Sequence, residues 1–489
     1  MHRFLFSTDM ELHTVVRGGG DEDRVRAALD HLLRTLWHML PALPGPSGIF
    51  TPYGRFYVDL HNHFEAALCE ADCPCLLAVL LEQVTTLLRT AVGNLRRATG
   101  IDISLGNNNH DGLLTPGKED IWGFHENFLV DRHPVEFPLD LVLPFLVTRV
   151  YQGSGAIEFP SGNFLAGARA QCMNHAAGGS THVQGSRAIY STARDEHHMG
   201  PASDKFRLHL ILADGHRSMF NTSLLFGASA LAWKAVLYDR RLARSLPRFG
   251  VREHEWVETL RSLNCLAADG NPPRVDPLVI ATQQAFLDAS CRFAEQLSPA
   301  PPWVARTIGD WSATLQAMKL DDRRWLAARL DPFIKHEFFS SVLAHRGKSW
   351  ADVPGNAQLC TELELLNYSY HELTDPQSYF DRLEQAGALD HRVADLLPPG
   401  AEPERYVPQT ESRAKARARF IIEHSYDKDL VVDWGEVSEP RAGRRRTLWD
   451  PFAAAYSDWQ PSPDQSHELQ QLLAGLRGGR RRPASEEPF

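Results

Sequence analysis

Polar and apolar positions alternate along residues 55–65. Arg55, Tyr57, Asp59, His61, His63 and Glu65 occupy one set; Phe56, Val58, Leu60, Asn62 and Phe64 occupy the other. Alternation at period two predicts a strand with one face in a core and the other in water. Residues 4–16 also read as a strand, on which Asp9 and Glu11 share a face. Residues 206–213 alternate again, with Arg207 and His209 opposite Leu208, Leu210 and Leu212. Helical spacing appears elsewhere. Asp21 is placed to cap a helix whose apolar side is Val25, Leu29, Leu32, Leu33, Leu36 and Leu40, and residues 41–48 break it. A second helix is predicted over 74–95, with Leu77, Leu80, Leu81, Val84 and Leu88 facing inward. Residues 141–150 fit helix or strand, 228–237 read as helix, and 275–395 are mostly helical in pattern. Strands first and helices later predict an α+β fold.

A proline-rich stretch at 398–408 marks a boundary. Beyond it come a basic helix at 412–424, a short strand at 430–434 and the segment LWDPF at 448–452, which follows a basic turn. The expected division is a catalytic domain over 1–408, a small C-terminal domain over 409–475 and a disordered tail over 476–489. The chain has 489 residues, is 43% hydrophobic and carries a net charge of −10. That charge gives no footing for nucleic acid. The apolar stretch at 75–88 is short for a bilayer and contains Glu82, and Asp9 and Glu11 interrupt the first apolar run, so no membrane association and no signal segment are expected. Seven cysteines without a regular framework fit a reducing cytoplasm.

The polar set at 55–65 is chemical in character: an Arg, a Tyr, two carboxylates and two His can hold phosphate, bind metal or move a proton. Asp9, Glu11, Asp59 and Glu65 offer hard oxygen ligands. Mg²⁺ keeps several waters and bridges one or two such carboxylates to substrate phosphates. His61, His63, His125, His197, His198 and His209 show no His-x3-His pair on a clear helix. Cys69, Cys73 and Cys75 form C-x3-C-x-C without an evident fourth ligand, so they read as ordinary buried or surface thiols. Gly18–Gly20 is not followed by Lys-Ser/Thr and reads as a plain turn. The runs at 444–446 and 480–482 read as a solvated turn and tail, with docking of an acidic peptide as the sharper alternative.

Ten segments in register resemble the Pup ligase family, which also contains the Pup deamidase/depupylase and is similar to glutamine synthetase and the carboxylate–amine ligases. They are STDMELH (7–13), GRFYVDLHNHFEAALCEA (54–71), NNHDG (108–112), WGFHENFLV (122–130), LPFLVTRVYQGSG (143–155), ARDEHH (193–198), FRLHLILAD (206–214), ESRAKARARFI (411–421), VVDWGEV (431–437) and LWDPF (448–452). The resemblance implies a large glutamine synthetase-like domain, with a curved, mainly antiparallel sheet forming a cradle packed by helices, and a small C-terminal domain closing on it. It implies ATP and Mg²⁺ as cofactors. The partners it implies are a Pup-like small protein or peptide, whose glutamate carboxylate is phosphorylated, and a lysine-bearing acceptor protein. It places Asp59 as the catalytic proton acceptor, partly desolvated between Val58 and Leu60. Arg55 and Trp434 fall at ATP-binding positions. Asp9, Tyr57 and Glu65 fall at metal positions, and Glu11 joins them as the second acid of its strand.

The chain departs from the family pattern in places. Asp9 replaces a Glu, and Ser7 and His13 replace glycines. Leu68 replaces a Thr at an ATP-contacting position, which implies one lost hydrogen bond to nucleotide. Met219 stands where the family has Glu, Phe64 where it has Pro, and Pro332 where it has Trp. Only about 43 residues separate Glu11 from Arg55, which favours the ligase over the depupylase branch with its extra loop. The alternatives are depupylation or deamidation, ATP-dependent modification of another peptide, and a weak regulatory paralogue whose support is Leu68 and Met219.

Overall fold

A computed structural model describes residues 3–18, 21–59, 61–110, 114, 121–130, 138–178, 186–191, 205–239, 241–246, 253–268, 271–390 and 412–462. Gly19, Gly20, Leu60, His197, His198, the proline-rich stretch, the run at 480–482 and the expected tail lie outside the described residues. The elements run β1 (Phe6–Val16), α1 (Glu22–Met39), β2 (Leu43–Pro44), β3 (Ile49–Thr51), β4 (Gly54–Val58), β5 (Phe64–Leu68), α2 (Pro74–Thr99), β6 (Ile103–Gly106), β7 (Phe124–Val130) and α3 (Leu139–Thr148). Five short strands follow: β8 (Ala156–Ile157), β9 (Phe164–Leu165), β10 (His175–Gly178), β11 (Ala188–Ser191) and β12 (Phe206–Leu210). Helix α4 (Met219–Tyr238) and a mostly helical stretch to residue 385 come next. The described residues close with α5 (Arg413–Glu423) and a small sheet of Val431–Val432, Glu436–Glu439, Arg444–Thr447 and Gln460–Pro461.

The large sheet has the order β10-β11-β12-β7-β1-β5-β4-β3-β2, with β6 also on β1, and among the described residues only its β10–β11 pair is parallel. It is therefore the mainly antiparallel sheet expected, packed by helices on its apolar face. Phe6, Met10, Leu12, Phe56, Phe64, Phe124, Phe128, Leu208 and Leu210 point into one core with α1, α2 and α4. Asp21 caps α1, its side chain accepting from Arg24 N. Helix α2 has 26 residues, longer than the spacing predicted. It is long and apolar enough to cross a membrane by composition. Here it lies between α1 and α4, with Leu77, Leu80, Val84 and Leu88 fully buried. Glu126, between the two cradle-facing residues His125 and Asn127, turns instead to the core, where Arg149 donates to both of its oxygens at 2.6 and 2.5 Å.

Two expectations about strands are overturned. Residues 55–65 are not one strand but two, β4 and β5, joined by a turn. Asp59 Oδ1 accepts from the backbone N–H of His61 at 2.8 Å and of His63 at 2.7 Å, and Asn62 takes φ 61°. A side-chain acceptor followed by an Asn in the left-handed region is turn chemistry, and it wins over the strand pattern. Arg444–Arg446 is likewise a strand rather than a solvated turn, paired to Glu436–Glu439.

Gly54 opens β4 at φ 133°, and a Cβ there would meet the Ala67 carbonyl oxygen at 2.1 Å. Gly54→Ala is expected to destabilise the fold by about 1–3 kcal/mol, read as a lower urea midpoint at unchanged slope.

Candidate active site

The register of the sheet assembles the polar face. Tyr57 pairs with Glu65 and Glu65 with Glu11, so these three form one row across β4, β5 and β1. The next row holds Arg55, Ala67, Asp9 and His125; the one after holds Ser7, Asn127 and His209. Residues directly opposite in a sheet share a face. Five of the seven expected site residues, Asp9, Glu11, Arg55, Tyr57 and Glu65, therefore face the same cradle.

Tyr57 donates its hydroxyl to Glu65 Oε2 in a short contact. Burial, with Glu65 and Asp9 beside it, holds the Tyr57 phenol neutral, so it positions Glu65 rather than offering an anionic oxygen. Arg55 donates through Nε and Nη2 to the Ser47 carbonyl at 3.0 and 2.9 Å, and its guanidinium lies 4.3 Å from the Tyr57 ring centroid. Glu11 accepts from Gly123 N and lies 3.8 Å from His125 Nε2.

Burial and the neighbouring acids Glu11, Asp9 and Asp59 push the Glu65 carboxyl up to about 8. Among the described residues no three His, Cys, Asp or Glu side chains converge as a ready-made metal centre. Mg²⁺ does not need one, since it takes one or two carboxylates plus waters and phosphate oxygens. A crowded carboxyl pushed up as Glu65 is, with acids beside it, is the donor set such an ion relieves, so Asp9, Glu11 and Glu65 fit it.

Asp59 sits at the end of this face, in the turn and not mid-strand. Its Oδ2 is 3.3 Å from His63 Nδ1. Burial raises its carboxyl, but His63 and the N–H groups of His63 and His61 outweigh burial and hold it below the usual range. Asp59 is thus a partly desolvated carboxylate that stays ionised. His61 and His63 take their places as the frame of that turn.

Trp434 comes from the C-terminal module. Its ring meets Phe50 edge-on at 5.2 Å and lies under Arg417 at 4.8 Å. Together with Asp9, Asn127, Arg207 and Arg413 it lines a cavity of about 70 Å³ between β1 and that module. Asp9 thus joins the cavity to the carboxylate row.

Glu70 ties the walls together: Arg413 Nε donates to it at 2.5 Å, Arg417 donates to its other oxygen, and Arg417 also donates to the Trp434 carbonyl at 2.9 Å. Neither Glu70, Arg413 nor Asn127 was singled out from sequence. The alternation of residues 122–130 carried Asn127's signal, whereas Glu70 and Arg413 meet only through the fold.

Two departures lie in apolar packing. Leu68 is fully buried in the core, on the face opposite Glu65 and Ala67, so its side chain removes no polar group from the cradle. Met219 packs on Cys75 and Ala78 at the start of α4. His13, by contrast, packs on Trp122 beside the cradle, the ring centroids 4.4 Å apart and the planes tilted by 34°.

The family model described as Pup-ligase protein matches residues 17–438. A Pup–protein ligase of Brachybacterium faecium is 28% identical over 93% of each chain. One of Acidimicrobium ferrooxidans is 27% identical over 88% of this chain and 92% of its own. The solved complex of Prokaryotic Ubiquitin-like Protein Pup with its ligase PafA has TM-score 0.70 at 20% identity, covering 99% of both chains. PafA in complex with ADP has TM-score 0.63 at 22% identity, covering 88% and 90%. At these identities the two structures establish the fold.

Proposed function

The chain belongs to the Pup-ligase family, and from that premise we propose that it is an ATP- and Mg²⁺-dependent ligase. It joins a glutamate carboxylate of a Pup-like protein to a lysine amine of an acceptor protein. The observation that carries this reading is the carboxylate row of Glu11 and Glu65, with Asp9 beside it lining the cavity that Trp434 walls and Asp59 at its far end.

A carboxylate is a poor electrophile. Transfer of the ATP γ-phosphate to it gives an acyl phosphate, which an amine can open with loss of phosphate. Such transfer needs positioning and charge neutralisation more than covalent help. Bound magnesium supplies that neutralisation for the phosphates. Asp9, Glu11 and Glu65 would hold it, and Tyr57 fixes Glu65. Arg55, clamped by Ser47, presents its charge to phosphate, and Trp434 walls the nucleotide side. Asp59 draws the lysine ammonium by its charge and accepts the amine proton as the new C–N bond forms.

The same reading assigns residues 1–408 to a catalytic domain and 409–475 to a smaller one, joined at Glu70. It places the chain in the cytoplasm, where thiols stay reduced. With Leu68 and Met219 away from the cradle, neither supports a weakened paralogue.

The test is an incubation with ATP, Mg²⁺, a Pup-like protein ending in Glu and a lysine-bearing acceptor, followed by intact mass. An ATP-dependent adduct at the summed masses less one water is expected; ATP consumption without adduct overturns the reading. Glu65→Gln is expected to raise the Mg²⁺ concentration for half-maximal turnover by about tenfold or more, measured as a Mg²⁺ titration of ADP release.

A further inference from the structure

One peptide group beside the carboxylate row is gripped at both ends. The Trp122 carbonyl accepts from Arg169 Nη1 at 2.6 Å and from Asn109 Nδ2 at 3.0 Å. The N–H of the same amide, on Gly123, donates to Glu11 Oε2. The backbone braces the contact, with Glu11 N donating to the Gly123 carbonyl at 3.0 Å. Only glycine allows so close an approach: a Cβ at position 123 would stand 3.0 Å from Glu11 Cδ and 2.3 Å from His125 Nε2. Arg169 is buried and opens a short turn of helix, Arg169–Cys172. Asp214 holds its backbone, accepting from Arg169 N with one oxygen and from Ser154 N with the other, both at 3.0 Å. Among the described residues the guanidinium bonds two carbonyls, those of Ile211 and Trp122, and no carboxylate. A buried Arg ordinarily has an acid as partner. Here burial draws the guanidinium pKa down, and the Glu11 charge opposes that most strongly. The Trp122–Gly123 peptide lies between the two charges.

We propose that Arg169 is a positioning residue for Glu11, acting through that peptide. The inference rests on the metal role given to Glu11 above. A cation on the Trp122 carbonyl polarises the amide and strengthens its N–H as a donor. The Gly123 bond then fixes the carboxylate by Oε2 and leaves Oε1, 3.8 Å from His125 Nε2, for the cation. A ligand oriented in advance binds its ion more tightly, and the outer partners of metal ligands are worth about 10–100-fold in affinity. Asn109 supports the same carbonyl as a neutral donor. Two of the sequence segments, 108–112 and 122–130, thus meet at one amide.

The experiment is Mn²⁺ binding by the full chain, read as loss of the free-ion EPR signal, with ADP affinity in EDTA as a second readout. Arg169→Gln is expected to weaken Mn²⁺ binding by about tenfold or more and to leave ADP affinity within about twofold. Arg169→Lys keeps a cation at the Trp122 carbonyl and should recover most of the loss. Asn109→Asp retains the oxygen that accepts from Gly215 N at 2.7 Å and sets an acid beside the guanidinium, competing with the carbonyl for it. It should weaken Mn²⁺ binding in the same direction, so the test stands even if Arg169→Gln does not fold. Unchanged Mn²⁺ affinity in these variants overturns the inference and leaves the ligase reading in place. Equal losses of Mn²⁺ and ADP affinity mark general disorder of the site and overturn it too. A wild-type chain that withholds no Mn²⁺ overturns the metal role of Glu11 and this inference with it.

Discussion

Asp59→Asn is expected to slow conjugate formation by about 10²–10⁴-fold while leaving the fold intact. The residue has two jobs, and this substitution separates them. Structurally, Oδ1 accepts from His61 N and His63 N and closes the turn between β4 and β5. An amide oxygen accepts the same two bonds, so the hairpin and the Tyr57–Glu65 pairing survive. Chemically, the amide has no charge to attract the lysine ammonium and no site for its proton. Asp59→Ala removes both, and should add a loss of stability from the two unsatisfied N–H groups, about 1–3 kcal/mol if they stay shielded from water. Initial rates at saturating ATP, with thermal midpoints of both variants, check this. A rate for Asp59→Asn within twofold of wild type would move the proton transfer elsewhere.

Arg417→Ala is expected to loosen the C-terminal module and weaken nucleotide binding together. Arg417 is 1% exposed, bonds Glu70 and the Trp434 carbonyl, and lies over the Trp434 ring. Removing one partner of a buried ion pair costs about 3–5 kcal/mol, because the remaining charge is left uncompensated. Here Arg413 still contacts Glu70, which places the loss at the lower end. The pair also sets a pH dependence. Burial alone raises the Glu70 carboxyl, but Arg417 and Arg413 overcome it and draw it down to about 2 from an ordinary 4.5. A carboxyl depressed in the folded state stabilises it above the unfolded value, and that contribution is lost as pH falls from about 4.5 to about 2. Urea midpoints taken from pH 7 to pH 2.5 should fall more steeply in that window for wild type than for Arg417→Ala.

Much of the sheet was legible because a residue's face depends only on parity. Asp9 and Glu11 on β1, and Arg207 and His209 on β12, lie where alternation put them. The same rule misled at residues 55–65. Partners in the β4–β5 hairpin, such as Tyr57 and Glu65, lie an even number of positions apart. Parity therefore carries through the turn, and two strands read as one. The clue was Asp59 followed by Asn62, a side-chain acceptor and a residue tolerant of positive φ. Leu68 was misplaced for a related reason: a family position can contact nucleotide through its backbone while its side chain faces the core, and parity with Glu65 would have put it there. Glu70, Arg413 and Arg417 were not legible. They meet across more than three hundred residues of chain, and nothing local marks such a pair.

The most direct test of carboxylate activation follows oxygen. A Pup-like protein labelled with ¹⁸O in the side-chain carboxylate of its C-terminal Glu is incubated with the chain, ATP, Mg²⁺ and acceptor, and the phosphate released is weighed. The account predicts one ¹⁸O in phosphate for each conjugate formed, because the amine displaces a phosphate that took its bridging oxygen from the carboxylate. Conjugate accompanied by unlabelled phosphate would contradict it.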